Sequence, residues 1–153
     1  MIFQIAAHRE WTTFTMLDWC IGAKENMGET LFSRVASKTD EDFRFYSLRE
    51  TMKILGHKRV DIFKFDIEGF EWKLIETEIL NAPTDRFLPN QLLFELHLQG
   101  VTPKFVPPHL VKGKRRNEVN VLMLKLFNRG YRVVNKECNN PSVVCEFALI
   151  RKF

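Results

Sequence analysis

The sequence predicts one α/β domain, because apolar β-rich runs alternate with segments of helical periodicity and two β segments close the chain. Its 153 residues, 45% of them apolar, are enough for one hydrophobic core and leave little room for a second. We therefore predict a single domain over residues 1–153 in which strands and helices alternate, with an antiparallel hairpin at the C-terminal end.

The most informative segment is residues 60–72, where a strand runs into an acidic turn and then a helix. Its near-continuous apolar run is typical of a strand buried on both faces of a parallel sheet. Asp66, Glu68 and Gly69 interrupt the run, and residues 71–80 have helical spacing. Because ligands bind outside the carboxyl ends of strands in open α/β sheets, Asp66 and Glu68 are candidate site residues.

The remaining elements follow from capping and turn signals. Ser47 is placed to cap a helix that ends near Gly56, with Glu50 at the capping-box position. Residues 91–98 predict the next buried strand, and residues 116–127 predict a helix that Gly130 ends. Residues 131–134 and 143–150 predict the closing hairpin.

The rest of the chain is predicted from its polar and β-forming stretches. Residues 12–21 and 30–35 read as strands, with a polar turn over residues 22–29 between them. A loop follows over residues 37–41, and the proline-rich stretch 100–114 predicts a long irregular loop.

Charge and composition argue against several classes of partner. The net charge is +4, and the positive excess is concentrated at residues 112–116. A solvated loop accounts for this basic run, and nucleic-acid binding is not expected because no reader motif accompanies it. No apolar stretch approaches the roughly 20 residues that cross a bilayer, so we predict no membrane span in this chain.

The three cysteines have no C-x-x-C spacing, so they indicate neither a disulfide framework nor a zinc site. Cys138 and Cys145 are the one pair that can bridge a local hairpin, and Cys20 lies far away in the sequence.

Asp66, Glu68, Glu95 and His97 are the candidate catalytic residues. Glu95 and His97 lie on the same side of their strand, because side chains alternate, and they can meet Asp66 and Glu68 across the neighbouring strand end. His97 or a carboxylate with a raised pKa can then act as a general base. We assign no metal, although Asp66, Glu68 and Glu95 can alternatively offer oxygen ligands to a divalent ion.

Each candidate also has a purely structural interpretation. Asp66 and Glu68 can cap the following helix, whose amino end favours negative charge. Glu95 and His97 can form a buried ion pair. Gly69 is interpreted as a backbone requirement of a tight turn, Trp72 as helix core and Glu71 as solvated.

Residues 48–72 resemble the FkbM-type S-adenosylmethionine-dependent methyltransferases and their methyltransferase-like relatives. From residue 47, the chain carries Ser-Leu-Arg-Glu-Thr-Met-Lys-Ile-Leu-Gly-His and then, from residue 60, Val-Asp-Ile-Phe-Lys-Phe-Asp-Ile-Glu-Gly-Phe-Glu-Trp. The family has an Asp-x-Glu-Gly-x-Glu run at this place. Further matches are Leu-Phe-Glu-Leu-His from residue 93, the Gly-Tyr pair at 130–131, Cys-Glu-Phe at 145–147 and, more weakly, Ile-Gly-Ala-Lys at 21–24.

The resemblance implies a Rossmann-like class I methyltransferase sheet, with methyl transfer to an oxygen or nitrogen acceptor. It implies S-adenosylmethionine as cofactor, with Gly22 and Asp66 as cofactor-binding residues. The acceptor, whether small molecule, glycan or protein, is not specified. The family's first strand and glycine-rich turn have no counterpart before residue 13. We therefore expect a partial sheet with an incomplete cofactor site, little activity of this chain alone and a tendency to self-associate.

Two other functions stay open at this point. The chain can be a non-catalytic α/β module that binds a partner through its proline-rich loop or basic run. It can also be a metal-dependent hydrolase built on the same carboxylates.

Overall fold

The computed structural model describes residues 20–22, 45–100, 108–139 and 144–152. The strands are β1 (Cys20–Ile21), β2 (Phe45–Tyr46), β3 (Ile62–Phe65), β4 (Gln91–His97), β5 (Tyr131–Asn139) and β6 (Val144–Arg151). The helices are α1 (Leu48–Ile54), α2 (Glu71–Leu74) and α3 (Arg116–Asn128). A π-helical segment, Ile75–Leu80, continues α2, and 3-10 turns lie at Asp85–Phe87 and Pro108–Val111. The prediction of a mixed α/β fold is confirmed.

The central sheet has four strands in the order β3-β4-β6-β5. β3 and β4 are parallel, whereas β6 is antiparallel to both of its neighbours, β4 and β5. The predicted C-terminal antiparallel hairpin is therefore present, with a β5 that is longer than predicted. β1 and β2 form a separate parallel pair among the described residues.

The helices begin and end where local signals predicted. Ser47 caps α1, and its side chain and that of Glu50 form the reciprocal pair of a capping box. Gly56 follows α1 with a φ of 69°, and Gly130 follows α3 with a φ of 91°. Both glycines adopt the left-handed conformation that commonly terminates a helix.

The hydrophobic core lies against one face of the sheet. Four phenylalanines from three strands pack together on that face. Their ring centroids are 4.9 Å apart for the tilted pair Phe63 and Phe65, 5.2 Å for the stacked pair Phe65 and Phe94, and 5.6 Å for the stacked pair Phe94 and Phe147. The buried residues of the helices that belong to the same core are Leu48, Met52, Trp72, Leu74, Ile75, Ile79, Leu122 and Leu126.

The expectation that β3 is buried on both faces is wrong. Its exposure alternates, with Phe63 and Phe65 buried and Ile62 and Lys64 exposed. In the described part of the chain, β3 is an edge strand of its sheet. Alternation places every second side chain on the face away from the core, which explains why an apolar residue such as Ile62 is 47% exposed.

Cys138 and Cys145 form a disulfide that links directly opposed positions of β5 and β6. The pairing agrees with the one local bridge that the sequence allowed. The strand predicted at residues 12–21 is described only at its last two residues. The turn predicted at residues 22–29 is described only at Gly22, and the strand at 30–35 and the loop at 37–41 lie outside the described residues.

Candidate active site

The candidate site lies where parallel strands β3 and β4 end side by side. Phe65 is the register partner of Phe94, so Asp66 follows β3 at the level of Glu95 on β4. His97 closes β4 at the same end of the sheet. The carboxyl ends of the two parallel strands therefore hold the four predicted catalytic residues together.

His97 is the centre of this group. Its side chain is 4% exposed, and its Nε2 lies 3.2 Å from Oε2 of Glu68 and 3.6 Å from Oε2 of Glu95. Oε2 of Glu68 is buried and accepts no hydrogen bond from the described residues, and it forms an ion pair with His97 when the imidazole is protonated. The structure thus brings Glu68, Glu95 and His97 into contact.

Glu71 is the site residue that sequence reasoning missed, because it was interpreted as solvated. It is fully buried, and its Oε1 accepts hydrogen bonds from the backbone N–H groups of Ile67 and Gly69, both at 3.0 Å. Its Oε2 accepts a second bond from Gly69, also at 3.0 Å. Nδ1 of His97 lies 3.1 Å from Oε1 of the same carboxyl group.

A sequence signal for Glu71 existed. It is the first residue of α2 and lies two positions after a glycine. A carboxylate in the first turn of a helix can reach back to backbone N–H groups of the preceding turn, as in a capping box.

The turn between β3 and α2 is held in an uncommon conformation. Glu68 has a φ of 54° and Gly69 a φ of 105°. A non-glycine residue in the left-handed region costs on the order of 1 kcal/mol or more, which the surrounding structure must offset. Glu71 supplies that support because it binds the backbone on both sides of Glu68.

The interpretation of Asp66 and Glu68 as helix caps is wrong. The N-cap of α2 is Phe70, and α2 has no side-chain cap. The positive φ of Gly69 agrees with its interpretation as a backbone requirement.

Trp72 connects the site to the basic run. The ring is buried, as expected for a helix-core residue, and its Nε1 donates a 2.7 Å hydrogen bond to the carbonyl oxygen of His97. Nζ of Lys114 lies 4.9 Å from the centre of the ring. At least Lys114 of the basic run over residues 112–116 therefore lies next to the site.

The site raises the pKa of three of its members. Burial raises the pKa of Glu95 to about 7, and the hydrogen bond and negative charge of Asp66 add to the effect. Burial also raises the pKa of Glu68. For His97, burial lowers the pKa, but the hydrogen bond and charge of Glu71, with the charges of Glu68 and Glu95, outweigh it and leave the pKa raised.

An acidic row extends from the site across the sheet. Glu95 is directly opposite Glu146 on β6, which in turn is opposite Glu137 on β5. Like charges in directly opposed positions destabilise a sheet. Together with Asp66, Lys64 and Asn135, these three carboxylates line a cavity of about 180 Å³.

Three side chains of the candidate site are spaced so that they can hold a metal ion. Asp66, Glu95 and His97 each offer one ligand atom, and the three atoms lie within 4.8 Å of one another. Oδ1 of Asp66 is buried and accepts no hydrogen bond from any described donor.

Gly22, the other predicted cofactor residue, lies on a different element. It follows β1 and is buried, and its backbone N–H donates to the Tyr46 carbonyl oxygen at 3.0 Å. This hydrogen bond joins Gly22 to the end of β2, and Asp66 is the predicted cofactor residue that belongs to the cluster.

Comparison with known proteins gives a short match. A stretch of 43 residues, 28% of the chain, is 42% identical to probable methyltransferase-like protein 24 of Homo sapiens and, equally, to that of Rattus norvegicus. The stretch spans 11% of the length of each relative. No family model and no solved structure matches the chain. The chain thus contains a segment similar to a methyltransferase-like protein.

No helix in the described ranges is both long and apolar enough to cross a membrane.

Proposed function

We propose that this domain is an S-adenosylmethionine-dependent methyltransferase-like domain of the FkbM type, which transfers a methyl group to an oxygen or nitrogen acceptor. The observation that carries the proposal is the cluster at the carboxyl ends of β3 and β4, where Glu68 and Glu95 contact His97. This end of the sheet is where α/β proteins bind their ligands. The match to methyltransferase-like proteins supports the same chemistry.

The strand order also supports the proposal. The resemblance implies a Rossmann-like sheet, and its terminal half would need parallel strands followed by an antiparallel hairpin. β3 and β4 are parallel, and β6 inserts between β4 and β5 in the antiparallel direction.

The charge of the cluster fits the proposed cofactor. When bound, S-adenosylmethionine supplies a methyl group on a positively charged sulfur, and transfer breaks the carbon–sulfur bond. Carboxylates nearby favour a positive charge, and Asp66 adds a buried oxygen that has no donor among the described residues. Asp66 is therefore the residue that we assign to the cofactor side of the cluster.

We assign Glu68, Glu95 and His97 to the part of the site that binds the methyl acceptor. Methyl transfer needs the acceptor atom held in line with the reacting carbon, and much of the rate comes from this orientation. The acceptor gives up one proton as its new bond forms. Glu95 and His97 are placed to receive it, and Glu71 fixes the imidazole through Nδ1.

Calorimetric titration with S-adenosylmethionine, which carries the positive charge on sulfur, tests the proposal. We expect measurable binding in buffer with EDTA, and Asp66→Ala should weaken it at least about tenfold, a change of about 1.4 kcal/mol. Asp61→Ala is the matched control, because Asp61 lies just before β3 at its opposite end and its side chain is 54% exposed. Circular dichroism of each variant verifies that the fold is retained.

Two outcomes contradict the proposal: no binding at ligand concentrations up to about 1 mM, or equal affinity in the Asp66→Ala protein. Absence of binding would favour the alternative that the domain is a non-catalytic interaction module, whereas equal affinity would reject Asp66 as the cofactor residue.

A further inference from the structure

Three potential metal ligands come from two adjacent strand ends. Asp66 follows β3, whereas Glu95 and His97 are on β4, and their donor atoms lie within 4.8 Å of one another. Ligands lie about 2.0–2.2 Å from a zinc ion, so two donors of one ion are at most about 4.4 Å apart. The observed spacing therefore needs only a small rotation of a carboxylate.

The orientation of His97 points to a ligand. Both oxygens of Glu71 accept backbone N–H bonds, so this carboxyl group is an acceptor and Nδ1 of His97 donates to it. In a neutral imidazole, Nε2 then carries the lone pair, and it faces Oε2 of Glu68 and Oε2 of Glu95. Carboxylate oxygens facing this nitrogen favour a positive charge there, which either a proton on Nε2 or a bound metal ion can supply.

Glu71 and His97 form the pair of a ligand histidine and a supporting carboxylate that many metal sites contain. Histidines that bind metals usually donate their second nitrogen to a carboxylate or carbonyl, which fixes the tautomer and the ring. Here that carboxylate is fully buried and held by three backbone hydrogen bonds, and His97 itself is 3% exposed. The imidazole is thus fixed before any ligand binds.

We propose that Asp66, Glu95 and His97 bind a divalent transition-metal ion such as Mn²⁺ or Zn²⁺. The buried Oδ1 of Asp66, which accepts no hydrogen bond from the described residues, is its third ligand atom beside Glu95 Oε2 and His97 Nε2. One imidazole and two carboxylates suit these ions better than Ca²⁺, which prefers oxygen ligands alone. The sequence alone had offered Glu68 in place of His97.

If the domain transfers methyl groups as proposed above, the metal ion also restricts the chemical class of the methyl acceptor. A metal ion acts as a Lewis acid on a bound oxygen and makes its proton easier to lose. The acceptor would therefore be a hydroxyl group whose oxygen binds the ion. With the ion bound, Glu95 and His97 would be ligands and could no longer take the proton of the hydroxyl. That proton would go instead to Glu68, whose Oε2 lies 3.2 Å from Nε2 of His97.

Titration of the metal-free protein with MnCl₂, followed by calorimetry in the absence of any cofactor, tests the site. We expect one ion per chain and at least a tenfold loss of affinity in Asp66→Asn. Asp66 lies in a turn and its Oδ1 has no donor to lose, so this variant should fold. Glu71→Gln, a change of a positioning residue, should weaken Mn²⁺ binding by roughly tenfold.

Glu137→Gln is the matched control, because Glu137 is an exposed carboxylate in the same cavity and not one of the three ligands. It should leave the affinity within twofold of the wild type. No binding up to 1 mM Mn²⁺, or an equal loss in Glu137→Gln and Asp66→Asn, would overturn the metal site. The S-adenosylmethionine titration is carried out in EDTA, so its failure would reject the proposed function and leave the metal site standing.

Discussion

Glu71 and Glu78 lie about two turns apart on the same helical segment, and both are buried. Glu71 begins α2 at the site, and both of its oxygens accept hydrogen bonds from backbone N–H groups. Glu78 lies in the π-helical segment that continues α2, and its Oε2 accepts no hydrogen bond from the described residues. One helix thus carries two buried carboxylates with very different surroundings.

The surroundings of Glu78 join it to another helix. Its Oε2 lies 3.9 Å from Nε of Arg49, near the start of α1. Burial raises the pKa of Glu78, and the charge of Arg49 with hydrogen bonds from the backbone of Arg49 and Leu48 only partly opposes the effect. Glu78 therefore joins α1 to α2 at a cost in stability, whereas Glu71 builds the turn that presents Asp66 and Glu68.

The largest effect on the free energy of unfolding is expected for a substitution of Glu71, at the start of the helical segment. Glu71→Ala leaves the buried N–H groups of Ile67 and Gly69 without an acceptor and removes the partner of His97 Nδ1. Losing one member of a buried polar network costs about 3–5 kcal/mol, so we expect a loss of that size in the free energy of unfolding. Urea denaturation measures it.

Glu76→Ala is the control on the same helical segment, because the side chain of Glu76 is 58% exposed. Its free energy of unfolding should stay within about 0.5 kcal/mol of the wild type. A loss below about 1 kcal/mol for Glu71→Ala would mean that water replaces the carboxylate and that the turn does not depend on it.

The role of Glu71 shows where sequence reasoning stops. Capping signals are local, so Ser47 with Glu50 and the glycine after α3 correctly placed the ends of two helices. The partners of Glu71 combine a local turn with a histidine on β4, and such distant contacts leave no periodic signal. Periodicity reports which helix face is apolar, and it says nothing about a polar residue buried by hydrogen bonds.

The error on β3 has a similar origin. A short apolar run is compatible with a strand buried on one face or on both, because the run does not record what covers each face. Ile62 is apolar and yet exposed in the described structure. In contrast, the convergence of Glu68, Glu95 and His97 could be predicted, because side-chain alternation and parallel pairing together fix which residues meet.

A substitution of Trp72, which lies next to Glu71 in the site, should have an intermediate effect on the free energy of unfolding. Trp72→Phe keeps a buried ring beside Lys114 but removes the Nε1 donor, so the His97 carbonyl oxygen loses one hydrogen bond. The loss of one such bond costs about 0.5–1.5 kcal/mol, which urea denaturation would detect. Lys114→Met removes the cation and keeps the hydrogen bond, so its loss should be smaller. The reverse order would mean that the cation–ring contact is the stronger of the two.

A substitution of Glu78 should have the smallest effect on stability, and it should stabilise the fold instead of destabilising it. Its pKa is raised in the folded state, so the carboxyl group favours folding when protonated and this contribution is lost as pH rises above about 4.5 through the folded pKa. Glu78→Gln cannot ionise, so at pH 8 it should melt on the order of 2 °C above the wild type.

The difference in melting temperature between Glu78→Gln and the wild type should disappear as pH falls to 4, because both side chains are then neutral. Thermal melts at the two pH values measure it, and Glu76→Gln on the exposed side of the segment should show no such change. If Glu78→Gln melts below the wild type at pH 8, the charge pair with Arg49 outweighs burial. Both buried carboxylates would then stabilise the fold, and the contrast between the two ends of the helix would be lost.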